Sequence, residues 1–330
     1  MTASLELRHS KHLMVFAGRA NPSLAGDIAG QLGVDLGGVT LKTFSSGEVY
    51  CRFEESIRGA DVFLVQPMCA NPEMGINAND ALVELLVMVD AAVGASAHRV
   101  VAVTPWYGYS RQDKKSAPRE PISARMVART LEAAGVDRVL TMDLHAGQLQ
   151  GFFGVPVDHM TALGMLAEHF AGLDDDLVIV APDAGRVKLN KQFANRIGAG
   201  LAILDKERPQ QQIAEITTVI GDVRGKTAIV IDDMIDTAGT LRAAGDAVMS
   251  AGAKRVFAAA THAVFSGRAF ENLAASPFER VVVTDTIPLG PGAPPTIDVL
   301  SCAPLLADSI RRIFTDESVS EVFDGQNHPF

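Results

Sequence analysis

Hydrophobic residues along the chain form short apolar runs, and longer stretches of helical periodicity lie between these runs. Runs such as DVFLVQP at 61–67 and TAIVIDD at 227–233 are rich in β-branched residues and predict buried strands. Stretches such as DALVELLVMVDAAVG at 80–94 and TLRAAGDAVMSAG at 240–252 predict helices. Strands that are apolar throughout and alternate with helices are typical of parallel sheets covered on both faces. The pattern therefore predicts an α/β fold.

The same alternation extends over most of the chain, whose 330 residues suggest about two domains. A stretch punctuated by Gly and Pro, GFFGVPVDHMTA at 151–162, separates two blocks of elements. We therefore expect domains at 1–158 and 159–316, and we expect the C-terminal tail, 317–330, to pack back on the first domain. The other predicted elements are strands at 13–18, 99–105, 138–145, 177–183, 255–262 and 280–286, and a helix at 122–135.

Composition and charge exclude several classes of protein. Hydrophobic residues make up 48% of the chain and charged residues 21%, which argues against broad disorder. No apolar run approaches the ~18 residues that a membrane helix requires. The net charge of −10 argues against a nucleic-acid-binding surface but leaves small phosphorylated ligands open. The scattered cysteines Cys51, Cys69 and Cys302 are expected to be free thiols in a cytoplasmic protein.

The stretch IDDMIDTAGT at 231–240 places two adjacent acids at a strand end and small residues before a predicted helix. Ligands of open parallel sheets bind beyond the carboxyl ends of the strands, where Asp232 and Asp233 are expected. Small residues from Thr237 to Gly239 let backbone amides converge on a phosphate at the positive end of the helix. Carboxylates accept hydrogen bonds from hydroxyls or hold a metal. The stretch therefore favours a sugar phosphate as ligand.

Two other interpretations bear on phosphate binding. A solvated acidic loop that caps the helix through Asp236 or Thr237 would have a similar sequence. The stretch GDVRGKT at 221–227 resembles a Walker A loop but is one residue too short. It also precedes a strand, whereas a Walker A loop follows a strand and opens a helix. We therefore interpret Lys226 as a turn residue.

Further polar residues interrupt the apolar strands at their ends. Asp143 and His145 follow one predicted strand and Asp183 follows another, and such groups can bind a magnesium–nucleotide complex. Arg111, in WYGYSRQDKKSAPRE, is placed to clamp a polyphosphate. The alternatives are an ordinary turn histidine at His145 and a solvated basic loop around Arg111. Lys206 lies in the polar stretch LDKERPQ after a further predicted strand.

Together these motifs resemble the ribose-phosphate diphosphokinase family of the orthophosphate-activated type. The resemblance runs over nearly the whole chain, from FAGRANPSLA to ESVSEVFDG. It implies two tandem phosphoribosyltransferase-like domains, each a mainly parallel sheet flanked by helices. The motifs that support it are FSSGE, ESIRG, SRQDKK, PISAR, MDLHAGQLQGFF, PVDHM, PDAGRVK, KER, IDDMIDTAGT and ATHAVFSG.

The resemblance also implies a reaction, in which the β,γ-diphosphoryl group of Mg²⁺-ATP passes to the anomeric hydroxyl of ribose 5-phosphate and AMP is released. Asp232 and Asp233 would hold ribose hydroxyls, and the catalytic loop would contain Lys206 and Arg208. The 5-phosphate would be surrounded by Asp236, Thr237, Ala238, Gly239 and Thr240. ATP would be bound by Arg111, Gln112 and His145, with Phe44, Ser46 and Glu48 from a neighbouring subunit, and magnesium would lie near His145 and Asp183.

The family further implies a homohexamer with a regulatory site at a subunit interface. The ESIRG and ESVSEVF segments are similar to those that bind activating phosphate and inhibitory ADP. Ser56, Arg58, Ser318 and Ser320 are therefore expected to contribute to an effector site, although they would also suit surface turns and a tail.

The sequence departs from its relatives in three places. Asp205 precedes KER where relatives often have His, which puts the charge of this loop in doubt. Ala238 replaces a frequent Gly or Cys, but its small size should preserve the phosphate loop. The loop NPEMGINAND at 71–80 is longer than its counterpart in many relatives.

Three rival functions remain to be weighed against the synthetase. A phosphoribosyltransferase that joins a base to ribose would explain 232–240 but would leave SRQDKK and KER without a role. A non-catalytic associated subunit could keep the fold, yet Lys206, Arg208 and His145 are all present. A ligand-responsive DNA-binding regulator would need a basic recognition module, and the acidic chain has none.

Overall fold

The computed structural model describes residues 11–173, 176–207 and 216–323, which form two compact units. The first unit comprises 11–141, 148–159 and 303–323. The second comprises 142–147 and the described residues within 160–302. Each unit is an α/β structure, so the predicted fold class is confirmed. Among the described residues, no helix combines the length and apolar character that crossing a bilayer requires.

The first unit is built on a five-stranded sheet of order β1-β4-β5-β6-β7. The pairs β1–β4, β4–β5 and β5–β6 are parallel, and every residue of β4 is buried. A separate antiparallel hairpin is formed by β2 and β3. The strands are β1 (Leu13–Ala17), β2 (Val39–Thr43), β3 (Val49–Phe53), β4 (Asp61–Val65), β5 (Arg99–Val103), β6 (Arg138–Met142) and β7 (Val157–Met160), and the helices are α1 (Pro22–Leu32), α2 (Ala78–Gly94) and α3 (Ser123–Ala134).

Local sequence signals fix the N-terminal ends of α1 and α2. α1 begins after Asn21, whose side chain accepts a hydrogen bond from the amide of Leu24, and has Pro22 at its first position. α2 begins with a capping box, in which Asn77 Oδ1 accepts from the amide of Asp80 and Asp80 accepts from the amide of Asn77. The 71–80 loop thus supplies the N-cap of α2.

The second unit is built on a seven-stranded sheet of order β10-β9-β8-β11-β12-β13-β14. Only the edge pair β9–β10 is antiparallel. The chain runs outward from β8 to β10 and then returns to place β11 on the other side of β8, so the strand order reverses between β8 and β11. The strands are β8 (Leu177–Ala181), β9 (Gly200–Glu207), β10 (Ile216–Ile220), β11 (Thr227–Ile235), β12 (Arg255–Ala263), β13 (Val281–Thr284) and β14 (Ile297–Leu300), and the helices are α4 (Leu163–Phe170), α5 (Val187–Ile197), α6 (Gly239–Ser250) and α7 (Ala269–Ala274).

The last long helix, α8 (Ala303–Thr315), belongs to the first unit, where it packs against α1. Its C-terminal end is held by Arg99, which donates to the carbonyl of Ile313 at 2.9 Å and pairs with Asp316 at 3.0 Å. The expected boundary near 158 lies beside the change of unit after His159. The expected end of the second domain at 316 differs from the structure, because the contacts of α8 group it with the first unit.

Candidate active site

The reversal of strand order between β8 and β11 defines the place where an open α/β sheet binds its ligands. Two acids lie at the carboxyl end of β11. The side chain of Asp233 is buried, with 4% exposed, whereas that of Asp232 is 30% exposed. Asp183 follows β8 and is exposed. The selected carboxylates therefore lie at the carboxyl end of β11 and just after β8, the two strands on either side of the reversal.

Two basic side chains converge on the acid pair. His145 Nδ1 lies 2.7 Å from Asp233 Oδ2, and Arg186 Nη2 lies 2.6 Å from the same oxygen. The guanidinium also reaches Asp232, with 3.2 Å between Nε and Oδ1. Asp232 Oδ1 accepts a further hydrogen bond of 2.8 Å from the amide of Asp233. One guanidinium thus bridges both carboxylates.

These contacts determine the tautomer of His145. Asp233 Oδ2 can only accept, so His145 Nδ1 must hold the proton in that 2.7 Å bond. Arg186 Nη2 lies 3.0 Å from Nδ1 because both donors point at one oxygen, and this contact is not itself a hydrogen bond. A neutral His145 then has its lone pair on Nε2. This nitrogen is the one that can coordinate a metal or accept a proton.

The surroundings give the two acids different proton affinities. Burial and the neighbouring Asp233 charge raise the pKa of Asp232 well above its usual range. Burial would also raise the pKa of Asp233, but the hydrogen bond from His145 and the charge of Arg186 outweigh it and lower the pKa. Asp233 is therefore the acid that stays ionised, and Asp232 is the first of the pair to take a proton.

The small residues after β11 form the expected turn into a helix. Ala238 is the N-cap residue of α6 and has a left-handed backbone, with φ 59° and ψ 3°. It makes no side-chain cap, so neither Asp236 nor Thr237 is the N-cap and the simple capping interpretation is wrong. The first amides of a helix lack intrahelical acceptors, so the start of α6 at Gly239 offers donors to an anion.

Neighbouring side chains hold this loop in place. Ser266 donates to the carboxylate of Asp236, and its amide donates to the carbonyl of Asp236 at 3.1 Å. Asn272 Nδ2 donates to the carbonyl of Thr237 at 2.8 Å. These bonds hold the backbone carbonyls of Asp236 and Thr237, the first two residues of the loop.

The turn that contains His145 is also anchored. Asp143 Oδ2 accepts from Thr261 Oγ1 at 2.6 Å and from the amide of Ala162 at 2.8 Å. His262 Nε2 lies 3.2 Å from the carbonyls of Met142 and Asp143, so Nε2 holds the proton. Burial lowers the pKa of His262 in spite of the nearby carboxylates, which keeps the ring neutral. Two residues at the end of β12 therefore fix the position of Asp143.

A pocket of about 250 Å³ opens beside the acid pair within the second unit. Asp232, Asp233 and Arg186 line it, together with Asp143 and Thr261. Its remaining wall is mainly apolar and includes residues of α4 and α5 together with Leu144 and Ile231. That wall includes Leu163, Leu166, Leu189 and Phe193.

The residues selected for the adenine pocket lie in the first unit, at the tip of the β2–β3 hairpin. Phe44 donates its amide to the carbonyl of Glu48 at 2.8 Å, and Ser46 Oγ donates to Glu48 Oε2 at 2.7 Å. The ring of Phe44 is 46% exposed and meets Tyr50 edge-on. A large exposed aromatic ring on a hydrogen-bonded hairpin is suited to stacking against a flat partner.

Arg111 and Gln112 lie in the loop after β5 of the first unit, and both side chains are exposed. The amide of Gln112 donates to the carbonyl of Tyr109 at 3.0 Å. The neighbouring Asp113 is buried and accepts a hydrogen bond from Gln148. The loop is therefore anchored at Asp113, beside the two exposed residues.

The proposed catalytic pair is only partly described. The backbone of Lys206 lies within β9, opposite Thr217 of β10, and not in a loop after a strand as expected, because the strand pairing extends to Glu207. Arg208 lies outside the described residues. Lys226, which resembled part of a Walker A loop, lies in the turn before β11 and pairs with Asp222 at 3.5 Å. This position agrees with its interpretation as a turn residue.

The candidate effector residues form two exposed pairs in the first unit. Ser56 and Arg58 flank the buried Ile57 after β3. Ser318 and Ser320 follow α8, with 2.9 Å between their hydroxyl oxygens. In the part of the chain that is described, no hydrogen bond joins one pair to the other.

Three residues of the site were not selected from the sequence, namely Arg186, Thr261 and His262. The Thr-His pair ends an apolar strand, so the criterion that selected His145 could also have found it. Arg186 offered a weaker signal, because its place between the two acids depends on the fold of the turn after β8.

Comparison with known proteins agrees with this architecture. A family model described as the N-terminal domain of ribose phosphate pyrophosphokinase matches residues 13–135. A model described as the phosphoribosyl synthetase-associated domain matches 209–324. The ribose-phosphate pyrophosphokinase of Clostridium acetobutylicum is 46% identical over 96% of this chain and 99% of its own. That of Caldanaerobacter subterraneus subsp. tengcongensis is 48% identical, with the same coverage of 96% and 99%.

A solved structure gives the same result. Phosphoribosylpyrophosphate synthetase from Mycobacterium smegmatis superposes with a TM-score of 0.86 and 45% identity, over 93% of this chain and 100% of the other. The fold and the acid-lined loop at the end of β11 define a protein of the phosphoribosyltransferase-fold class. Within that class, the chain belongs to the ribose-phosphate pyrophosphokinase family. It is accordingly a transferase rather than a regulatory relative.

Proposed function

We propose that the chain transfers the β,γ-diphosphoryl group of ATP to the anomeric hydroxyl of ribose 5-phosphate, producing 5-phosphoribosyl 1-diphosphate and AMP. The observation that supports this most directly is the bridged acid pair, Asp232 and Asp233, just before the anchored loop at the start of α6. Acids and an anion-binding helix start in one short stretch suit a ligand with hydroxyls at one end and a phosphate at the other.

Ribose 5-phosphate is proposed to bind across this stretch. Asp232 and Asp233 accept hydrogen bonds from ribose hydroxyls through the carboxylate oxygens that face the ligand. The 5-phosphate lies at the loop from Asp236 to Thr240, where the first amides of α6 donate to it. The loop contributes Asp236, Thr237, Ala238, Gly239 and Thr240.

The reaction breaks one bond of ATP and forms one bond to the sugar. The anomeric oxygen attacks the β-phosphorus and loses its proton, while the bridging oxygen between the α- and β-phosphorus atoms leaves with the bonding electrons on AMP. Negative charge builds on the oxygens around the β-phosphorus during this step. Lys206 and Arg208 are proposed to stabilise that charge.

ATP is proposed to be bound by six of the residues described above. Arg111, Gln112 and His145 contact ATP, and the exposed ring of Phe44 stacks on adenine beside Ser46 and Glu48. We propose that this hairpin serves a neighbouring subunit within a homohexamer. The three free cysteines fit a cytoplasmic location.

A magnesium ion is proposed to accompany ATP near His145 and Asp183. Mg²⁺ bound with a nucleotide keeps several waters and is held mainly by substrate phosphates and one or two protein groups. When bound, the ion neutralises phosphate charge. His145 Nε2 and the carboxylate of Asp183 are the protein groups that would hold it.

Regulation is proposed at Ser56, Arg58, Ser318 and Ser320, which would bind activating phosphate or inhibitory ADP. All four residues are exposed, so they are accessible to a small anion. The hydroxyls of Ser318 and Ser320, 2.9 Å apart, could both donate to one phosphate.

ATP labelled at its β-phosphate tests the reaction. We expect the label to appear in the sugar product together with one equivalent of AMP, in the presence of Mg²⁺ and ribose 5-phosphate. Formation of ADP and a singly phosphorylated anomeric position would contradict the proposal. A phosphoribosyltransferase would instead consume 5-phosphoribosyl 1-diphosphate and a free base, and a non-catalytic subunit would give no product.

A further inference from the structure

Arg186 holds a central position in the second unit, although the sequence analysis assigned no role to it within the motif PDAGRVK. Its side chain is only 14% exposed. Nε contacts Asp232 Oδ1 at 3.2 Å and Nη2 contacts Asp233 Oδ2 at 2.6 Å. The same Nη2 lies 3.0 Å from His145 Nδ1. A single guanidinium therefore contacts three residues of the proposed substrate site.

The backbone of Arg186 is fixed on both sides. Its amide donates to the side chain of Asp183 at 3.1 Å, and its carbonyl accepts from Asn190 Nδ2 at 3.0 Å. Asn190 is fully buried and also donates to the carbonyl of Ile231 at 3.3 Å, in the strand that ends at the acids. The arginine is thus tied both to the turn after β8 and to β11.

This arrangement suits two adjacent carboxylates that must present ordered oxygens to a ligand. Two neighbouring acids repel each other when both are ionised, and either one can reorient to reduce the repulsion. A planar guanidinium with fixed donor directions neutralises part of the charge and restricts both rotamers. The contacts use Asp232 Oδ1 and Asp233 Oδ2, so the second oxygen of each acid can accept from sugar hydroxyls.

We propose that Arg186 is a positioning residue for the sugar substrate, because it orients Asp232 and Asp233 so that their second oxygens meet two ribose hydroxyls. This inference rests on the proposed function, which supplies the identity of the ligand. Arg186 acts through the two acids and does not itself touch the reacting atoms. Its removal should therefore weaken sugar binding more than nucleotide binding.

The test is the affinity of the full chain for ribose 5-phosphate, measured by isothermal titration calorimetry. Mg²⁺ and an ATP analogue with a methylene group between the α- and β-phosphorus atoms are present, because that analogue lacks the bond that the reaction breaks. The variants are Arg186→Gln and Arg186→Lys. Arg255→Gln is the matched control, since Arg255 also pairs with a carboxylate, Glu279, but at the opposite end of β12 from Thr261.

We expect Arg186→Gln to weaken ribose 5-phosphate binding about tenfold or more. The estimate is by analogy with residues that orient the ligands of a metal ion without touching the metal. Arg186→Lys should recover part of the loss, because lysine restores the charge but not the two-pronged geometry. The KM for ribose 5-phosphate should rise more than the KM for ATP. Arg255→Gln should bind as the wild type does.

The outcomes distinguish a failure of the proposed function from a failure of the role proposed for Arg186. Failure of the wild type to bind ribose 5-phosphate would overturn the proposed function itself. Wild-type binding together with unchanged affinity in Arg186→Gln would overturn the role of Arg186 alone. If the glutamine variant does not fold, as judged by its thermal unfolding, the lysine variant decides, and unchanged affinity there excludes the positioning role.

Discussion

Thr261 donates its hydroxyl hydrogen to Asp143 Oδ2 over 2.6 Å, and this bond joins the end of β12 to the turn that contains His145. The acceptor is a carboxylate whose other described donor to that oxygen is the amide of Ala162. The hydrogen bond thus stabilises a turn that has no long apolar run of its own. Within this turn, the backbone of Asp143 has a positive φ of 32°. This polar network therefore helps to hold the turn that contains His145.

We expect Thr261→Val to destabilise the protein by about 1.5–3 kcal/mol, the usual worth of a hydrogen bond to a charged group. Valine keeps the shape of threonine but removes the donor to Asp143. The thermal unfolding midpoint should fall, and turnover should fall with it because His145 loses its support. Thr261→Ser, which keeps the hydroxyl, should stay near the wild type. Equal midpoints for the valine and serine variants would contradict this role.

The stability of the second unit should depend on pH through His262. Burial lowers the pKa of His262, so the unfolded chain takes up a proton near pH ~6.5 whereas the folded chain resists it. The stabilisation is therefore complete above that pH and is lost as the pH falls, by up to about 1.4 kcal/mol per pH unit.

The measurement compares unfolding midpoints at about pH 7.5 and pH 5.5, on either side of the usual histidine pKa. His262→Gln keeps an amide that can donate to the carbonyls of Met142 and Asp143 but does not titrate. Its midpoint should fall less over this interval than that of the wild type. His169→Gln, at an exposed position on α4, serves as control and should follow the wild type. Parallel curves for all three proteins would exclude this contribution.

Position 238 should tolerate glycine but not a β-branched side chain. Its φ of 59° lies in the left-handed region, which glycine adopts without strain and β-branched residues avoid. Ala238→Gly should preserve ribose 5-phosphate binding and change stability by no more than about 1 kcal/mol, because relief of strain opposes the added freedom of the unfolded chain. Ala238→Val should lower the unfolding midpoint and raise the KM for ribose 5-phosphate. A valine variant with normal KM would show that this backbone conformation is not needed for phosphate binding.

Lys206 and Arg208 should affect turnover rather than ground-state binding. Loss of one transition-state donor costs about 10²–10³-fold in kcat, and we expect this for Lys206→Ala and Arg208→Ala. Their Michaelis constants should change much less. The double variant should lose less than the sum of the two free energies if both residues stabilise the same charge. Lys226→Ala, in the turn before β11, is the matched control, and turnover of Lys206→Ala close to that control would exclude Lys206 from the chemistry.

Phosphate should activate the enzyme if Ser56, Arg58, Ser318 and Ser320 form an effector site. Activity measured against increasing phosphate should rise in the wild type, and Ser318→Ala should shift the activation to higher phosphate because one of two neighbouring donors is lost. Thr315→Ala provides a control, since Thr315 Oγ1 donates within α8 to the carbonyl of Arg311. Full activity without phosphate and no response to its addition would contradict the effector site.

The central strands of both sheets were predictable because their apolar runs are continuous. β4, β5, β8 and β13 fall within the predicted segments, whereas β11 and β12 extend beyond theirs by two residues and by one. The edge strand β1 was also predicted, but the hairpin strands β2 and β3 were not, because these partly exposed strands mix polar and apolar residues without a clear period. The antiparallel pairing of β9 with β10 depends on strand adjacency, which local patterns do not specify.

The acid pair and the phosphate loop could be inferred because they are contiguous in sequence and follow a well-defined strand. Arg186 could not be assigned in the same way. It lies far from Asp232 in sequence, and its contact depends on the turn after β8 and on the adjacency of β8 and β11. Residues that act across neighbouring strands become visible only when the strand order is known.

The segment Met142–Gly147 belongs to the second compact unit although it precedes the last part of the first. A C-terminal fragment cut at the boundary that the sequence suggests would therefore lack Asp143 and His145. The matching N-terminal fragment would lack α8. Neither unit can be inherited or exchanged as one uninterrupted stretch of gene, so recombination that preserves this enzyme must move the two units together.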